Sequence, residues 1–458
     1  MDSIRHQRTP HMHVTAQDVH QDDGKRTVTA STDHPFPSCE PRDGMLQALP
    51  RKSQAHARAI KRSLSAPPLT ATQRRMLAEL GAEGGTCLTP DEAAVLRELS
   101  FHTPATPCDT VLFTDPNKDP DDVVTYVIGK QLQTAGFVRV TGVAVTLGDA
   151  DVREERARLA KGVFNRLQLP DVRVARGQDY PIGAKQAKDH AKFLQEGRHL
   201  RAEPGDLCSS SLQLMHDQLM QASKGLSMVV IAGMTDANAL VDAHPALASE
   251  RIKTITIMGG VDPAKDADGY VQPDARAYNN ATDLHAARGL YRKAQQLRIP
   301  LRIVTKEAAY KTAVSPSFYE GLARSGHSVG TYLKDVQKNA LNGLWDGIQA
   351  GLLPGLDEAW FFRTFTADAL PQANRLQSCA RQAIAFDQVW PRVTKLNLYD
   401  PLTLLAAVPG AANMLFTSRQ IQTDAFSFVE QVGEQEVRHP EKAKLLMSAL
   451  AKVALSSK

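Results

Sequence analysis

The sequence predicts an α/β fold: a mostly parallel central sheet flanked by helices, with extra helical insertions, behind a disordered N-terminal leader. Two observations carry the sheet. Beyond residue 110, short β-branched runs alternate with amphipathic segments of helical length, the order that builds a parallel sheet through crossover helices. The runs are nearly all apolar, as strands covered on both faces must be. A third observation carries the leader: residues 1 to about 68 are rich in His, Ser, Thr, Pro, Arg and Gln and hold no sustained apolar period.

In chain order, residues 1–69 form the expected leader and 70–107 a helical lead-in. Thr72-Gln-Arg-Arg-Met-Leu-Ala-Glu-Leu80 has helical apolar spacing, and so does Pro90-Asp-Glu-Ala-Ala-Val-Leu-Arg-Glu-Leu99, which opens on Thr89-Pro90 as cap and first turn. A strand is expected over 111–114, a helix over 121–134, a strand over 137–147, a helix over 151–167 and a strand over 172–175. After a polar stretch, 183–206, the alternation resumes with strand 228–232, helix 236–243, strand 252–258, helix 282–297 and strand 301–304. Residues 313–355 read as added packing helices, because Tyr332, Leu333, Val336, Leu341, Leu344, Trp345 and Ile348 recur at helical intervals. A helix over 399–408 starts at Asp400-Pro401. The globular domain is expected over 108–440, with 441–458 as a C-terminal surface helix.

The chain has 458 residues and is 42% hydrophobic, enough for a substantial core. Its net charge of +4, from 54 basic and 50 acidic residues, gives no electrostatic case for a nucleic-acid or membrane partner. The five cysteines (Cys39, Cys87, Cys108, Cys208, Cys379) are scattered and form no Cys-x-x-Cys pair, so neither a disulfide framework nor a zinc knuckle is indicated. No run is long enough for a transmembrane helix, and the N-terminus lacks the order of a Sec signal.

The chemistry concentrates in Asp115-Pro-Asn-Lys-Asp-Pro-Asp-Asp122, where a strand gives way to a helix. An EF-hand is excluded: the sixth loop position is Pro120 rather than Gly, and the twelfth is Tyr126 rather than Glu. Helix capping explains one or two aspartates but not four. The remaining reading is a hard-cation site at the C-terminal end of a parallel strand, where the ion offsets carboxylate repulsion. Asp400, at another expected helix start, is available as a further ligand.

These residues resemble the Asp-Pro-Gly-x-Asp-Asp signature of calcium-dependent nucleoside hydrolases, lengthened by two residues. Ala232-Gly-Met-Thr-Asp-Ala-Asn-Ala-Leu240, Ile257-Met-Gly-Gly260, Tyr278-Asn-Asn-Ala-Thr-Asp283 and Tyr399-Asp-Pro-Leu402 resemble further family segments, in the same order, across roughly residues 108–415. The layout is similar to the XopQ and HopQ branch of bacterial type III effectors, which joins a disordered leader to a nucleoside hydrolase-like body. The resemblance implies secretion into a host cell, with the host cytoplasm as destination and the nucleus as an alternative.

By the same resemblance, Asp115, Asp122, the main-chain carbonyl of Thr235 and Asp400 would hold Ca²⁺, which would chelate the ribose hydroxyls. Asp121 would be the general base toward a water attacking C1′. Asn279 would contact ribose, with Tyr278, Met258 and Asp149 near the substrate. Tyr399 stands where the family has a catalytic His, and a phenol of ordinary pKa near 10 is a weak acid at neutral pH. Ala277 replaces a Glu for the ribose 5′-hydroxyl, Val271 replaces a second such ligand, and Phe113 replaces an Asp. Losing those acids favours a 5′-substituted ribose, a nucleotide or ADP-ribose-like ligand, for which Arg276 could pair a phosphate; an exposed structural Arg is the competing reading. The implied activity is a Ca²⁺-dependent N-ribohydrolase, and the alternative is a weakly catalytic ribose-binding effector that works through host partners. In the leader, Arg62-Ser-Leu-Ser65-Ala-Pro67 has the pattern read by host 14-3-3 proteins once Ser65 is phosphorylated.

Overall fold

A computed structural model describes residues 88–117, 119–179, 195–353, 355–367, 384–421 and 428–456. The leader with Arg62, Ser65 and Pro67, the expected helix at 72–80 and the first half of the polar stretch, 183–194, lie outside the described residues.

The described residues form ten strands: β1 (Cys108–Thr114), β2 (Val138–Val145), β3 (Arg173–Arg176), β4 (Leu226–Val230), β5 (Ile252–Met258), β6 (Val261–Lys265), β7 (Val271–Pro273), β8 (Leu301–Val304), β9 (Arg419–Ile421) and β10 (Val429–Val432). Eight form one sheet in the order β3-β2-β1-β4-β5-β8-β10-β9. Every pairing is parallel except that of β9, which runs antiparallel at one edge. Strands β6 and β7 form a separate antiparallel pair.

The apolar runs pack as two-sided strands. Along β1, Val111 and Phe113 enter the core on one face of the sheet and Leu112 enters the core on the other. Because both faces are covered by helices, only the strand ends can open to a ligand, and in parallel sheets the carboxyl ends do so.

The expected helix at 121–134 is present as Asp121–Thr134, the strand at 252–258 as Ile252–Met258 and the strand at 301–304 as Leu301–Val304. The helix expected over 282–297 is present as Leu284–Gln296, and a short helix, Tyr278–Thr282, precedes it; Asp283 between them leaves helical geometry and its carboxylate caps Ala286 N at 3.0 Å. Strands β9 and β10 were not foreseen, since Arg-Gln-Ile and Val-Glu-Gln-Val carry too little apolar periodicity to announce a strand.

The C-terminal helix corrects the expectation of a surface element. Helix Pro440–Ser456 buries Leu446, Met447, Leu450 and Leu455 against helices Pro90–Ser100 and Asp121–Thr134, so lead-in and C-terminus belong to the same core as the sheet. Each such side chain contributes roughly 1.5–3 kcal/mol of burial. The junction is fixed by polar contacts. Glu92 closes a capping box with Thr89 and also receives Lys452 Nζ at 2.7 and 2.9 Å, the two side chains being 4% and 13% exposed.

Lys452→Met therefore strands a buried carboxylate and lowers unfolding free energy by about 2–3 kcal/mol in urea denaturation. Lys442→Met breaks the more exposed pair with Glu98 and costs no more than about 0.5–1 kcal/mol in the same measurement.

Candidate active site

The site grows from the end of β1. Strand β1 stops at Thr114, the chain turns through Asp115 and Asn117, and the helix Asp121–Thr134 starts with two buried acids. Asp122 ties this return together: its Oδ1 accepts from Thr114 Oγ1 and from Asp115 N at 3.0 Å. Tyr126, one turn along the helix, reaches Thr114 Oγ1 at 2.7 Å. Asp121 Oδ2 accepts from the main-chain N–H of Asp400 at 3.4 Å, which joins the start of helix Tyr399–Ala407 to the same cluster. The two ends of the expected metal site thus meet, 279 residues apart.

The lengthened loop has a structural use. Asn117 takes a left-handed conformation (φ 79°), is buried, and its Oδ1 accepts from the Tyr332 hydroxyl at 3.1 Å. Tyr332 belongs to the added helix Ser328–Gln349, so the longer loop is docked onto the insertion. Asparagine tolerates this backbone better than most residues.

Asp115, Asp121, Asp122 and Asp400 are all at most 6% exposed. Burial, with Asp119 next in weight, pushes the Asp121 carboxyl well above its ordinary range. Burial and Asp119 raise Asp122 to about 7, and burial with repulsion from Asp121 raises Asp400 strongly. Arg156 offsets part of this charge from behind. It is fully buried, lies 3.9 Å from Asp115 Oδ2 and donates to Leu147 O at 3.2 Å, a carbonyl presented by a left-handed residue.

Asp119, Asp121 and Asp122 each offer an oxygen within 4.8 Å of the others. Asp121 Oδ1 is buried without a hydrogen-bond partner. An all-oxygen donor set with an orphaned buried carboxylate oxygen fits a hard divalent cation such as Ca²⁺.

A cavity of about 710 Å³ opens over these groups at the carboxyl ends of β1, β4, β5 and β8. Asp115, Asp119, Asp121 and Asp400 line it with Ile231, Met258, Asn279 and Thr305. Asn279 Nδ2 donates to Met258 O at 3.2 Å, which fixes the amide beside the carboxylates. Tyr278, Tyr310, Trp360 and Tyr399 supply aromatic walls, and Arg276 and Lys306 supply positive charge. Arg276 grips Asp274 through two contacts, at 3.0 and 3.2 Å. Tyr399 accepts from Asn397 Nδ2 at 3.1 Å, and burial together with Tyr310 pushes its hydroxyl well above the usual range.

Thr235, Asp149 and Val271 are not among the residues that line the cavity. Thr235 heads the helix Thr235–Ala243 and its hydroxyl donates to Asp283 at 2.7 Å; the residue from this strand end that lines the cavity is Ile231. Asp149 is the N-cap of helix Ala150–Arg166, accepting from Val152 N, and does not line the cavity. Val271 packs in the core rather than at a ribose position. Sequence reasoning left Asp119 unassigned and missed Arg156, Lys306, Tyr310 and Trp360, which no motif marks.

Fold and site together define a nucleoside hydrolase-like α/β protein. The model of the inosine-uridine preferring nucleoside hydrolase family matches residues 110–442, and the chain belongs to that family. Among solved structures it is similar to the type III effector protein XopQ complexed with adenosine diphosphate ribose, at 64% identity over 80% of this chain and 100% of that one, with a TM-score of 0.74. It is similar also to the effector protein XOO4466, at 63% identity over 80% and 99%, with a TM-score of 0.73. The purine-preferring ribonucleoside hydrolase of Gardnerella vaginalis shares the fold at 16% identity over 76% and 99%, with a TM-score of 0.50. No curated protein sequence matches.

The crowded carboxylates would make the effect of any bound divalent cation depend on pH. Asp122 holds its proton in the metal-free fold up to about pH 7, whereas in the unfolded chain it loses it near 4, so metal-free stability falls as pH rises through that window. A cation favours the ionised form. The melting temperature with CaCl₂ minus that with EDTA is therefore expected to grow from pH 5 to pH 8, and a flat difference by scanning calorimetry would contradict the assignment.

Proposed function

We propose that this chain is a type III effector whose nucleoside hydrolase-like domain binds a ribose carrying a 5′-phosphate or diphosphate and cleaves its N-glycosidic bond with the help of Ca²⁺. One observation carries the reading: a single cavity joins the carboxylate cluster at its floor to Arg276 and Lys306, with Ala277 where a carboxylate would repel phosphate. The XopQ structure, described as an ADP-ribose complex, supports the ligand class.

Asp115, Asp122 and Asp400 are the proposed calcium ligands, with Asp119 beside them and the main chain at Ile231 in place of Thr235. When bound, the ion supplies Lewis acidity to the attacking water and an anchor for ribose hydroxyls. Asp121, held by the Asp400 N–H, takes the water's proton as the oxygen approaches C1′. Asn279 orients the ribose, and Met258 and Tyr278 bound it. Arg276 and Lys306 meet the phosphates through charge-assisted contacts.

Calorimetric titration with calcium present tests the ligand class. ADP-ribose is expected to bind at least about tenfold tighter than adenosine, and Lys306→Ala to lose about tenfold, or ~1.4 kcal/mol. Adenosine binding equally well would refute the 5′-substituted reading. Chromatography for released base, with Asp115→Ala as control, tests turnover; tight binding with no turnover leaves a ribose-binding effector acting through host partners.

For those partners, the leader motif supports 14-3-3 capture. After expression in eukaryotic cells, 14-3-3 co-purification is expected with the parent and to be lost with Ser65→Ala. Equal recovery from both would remove the motif from consideration.

A further inference from the structure

We infer that the hydrolysed substrate is a pyridinium N-riboside with a 5′-phosphate or 5′-diphosphate, rather than a purine or pyrimidine nucleotide. This rests on the hydrolase reading above and names the leaving group for it.

The argument begins with what the cavity lacks. A purine or uracil leaving C1′ takes the bonding electron pair onto a ring nitrogen and departs as an anion unless it is protonated. Among the described residues that line the cavity there is no histidine. The positive side chains among them are Arg276, which Asp274 engages, and Lys306, both assigned above to the phosphates. Asp115, Asp119, Asp121 and Asp400 are grouped at the cation end. Glu307 is exposed at the rim.

A pyridinium base needs no proton. The water oxygen bonds to C1′ while the C1′–N bond breaks, and its electron pair cancels the ring's positive charge. The base leaves neutral, the ribose gains a hydroxyl, and the one proton released passes to Asp121. No oxidant or second substrate is required.

The cavity also suits such a cation before the bond breaks. Tyr278 and Tyr310 are 49% and 44% exposed and line the cavity with Trp360 and Tyr399, an aromatic lining of the kind that attracts a flat cationic heterocycle. The Tyr310 and Tyr399 rings meet edge to face, with centroids 6.2 Å apart. Carboxylates on the floor add attraction for positive charge and work against an anionic leaving group. Hydrolysis of a pyridinium dinucleotide, NAD⁺, leaves ADP-ribose, the ligand described for the XopQ structure.

The test supplies the full chain and calcium with nicotinamide mononucleotide, NAD⁺, NADH, IMP and AMP, and quantifies released base by chromatography. NADH has nearly the outline of NAD⁺, but its dihydropyridine is uncharged and would have to leave as an anion. Nicotinamide release from the mononucleotide or NAD⁺ is expected to exceed purine release from IMP or AMP by at least about 100-fold in kcat/KM. NADH is expected to be inert, and Asp115→Ala to abolish release. Purine release as fast as nicotinamide release, or equal cleavage of NADH and NAD⁺, overturns the inference and leaves the hydrolase reading standing. Binding of ADP-ribose with no base released from any compound overturns both.

Discussion

The structure turns on a Coulombic constraint at the end of β1. Buried carboxylates from the β1 loop and from the start of helix Tyr399–Ala407 converge where water is largely excluded, and each raises the proton affinity of its neighbours. Like charges that close persist only if something positive is supplied or protons are retained. The protein provides one internal remedy in Arg156 and leaves room for a second in a divalent ion. The Thr114, Tyr126 and Asp115 contacts to the same loop hold the oxygens in place, and the parallel sheet beneath brings both segments to one edge.

The lengthened loop follows from this constraint. A longer loop over a repulsive site would lose order unless anchored, and Asn117 provides the anchor by turning inward to Tyr332. The added helix Ser328–Gln349 is itself held by an apolar stripe running from Val329 to Ile348. Helix and loop are thus joined by one hydrogen bond, in which the helix supplies the hydroxyl and the loop supplies the amide oxygen. Arg153, one turn from Arg156, grips Gly148 O and Asp179, so neighbouring loops share the same buried frame.

A relative of low identity shares the frame. The sheet positions the site, whereas the cavity lining, Ala277, Lys306 and Tyr399 included, consists of side chains that can change without moving a strand. That separation explains how an effector and a metabolic hydrolase can share an architecture.

Much of the frame was legible in the sequence because it rests on local periodicity and on acids adjacent in the chain. The apolar runs of β1, β5 and β8, the helix at Asp121–Thr134, and Asp115, Asp121 and Asp400 as cavity acids could all be read from residue order. Local patterns could not reveal partners chosen by packing. Asp149 has site-like neighbours in sequence, yet it serves as a helix cap outside the cavity lining; Arg156 and Tyr332 gain their roles only when distant segments meet. The C-terminal helix looked superficial because its apolar stripe does not say which surface receives it. The sequence by itself determined the alternation of strand and helix and the presence of a carboxylate-rich turn. Tertiary structure decided which acids share a site, which cation stands behind them and what lines the cavity, since electrostatics and packing depend on distance in space rather than along the chain.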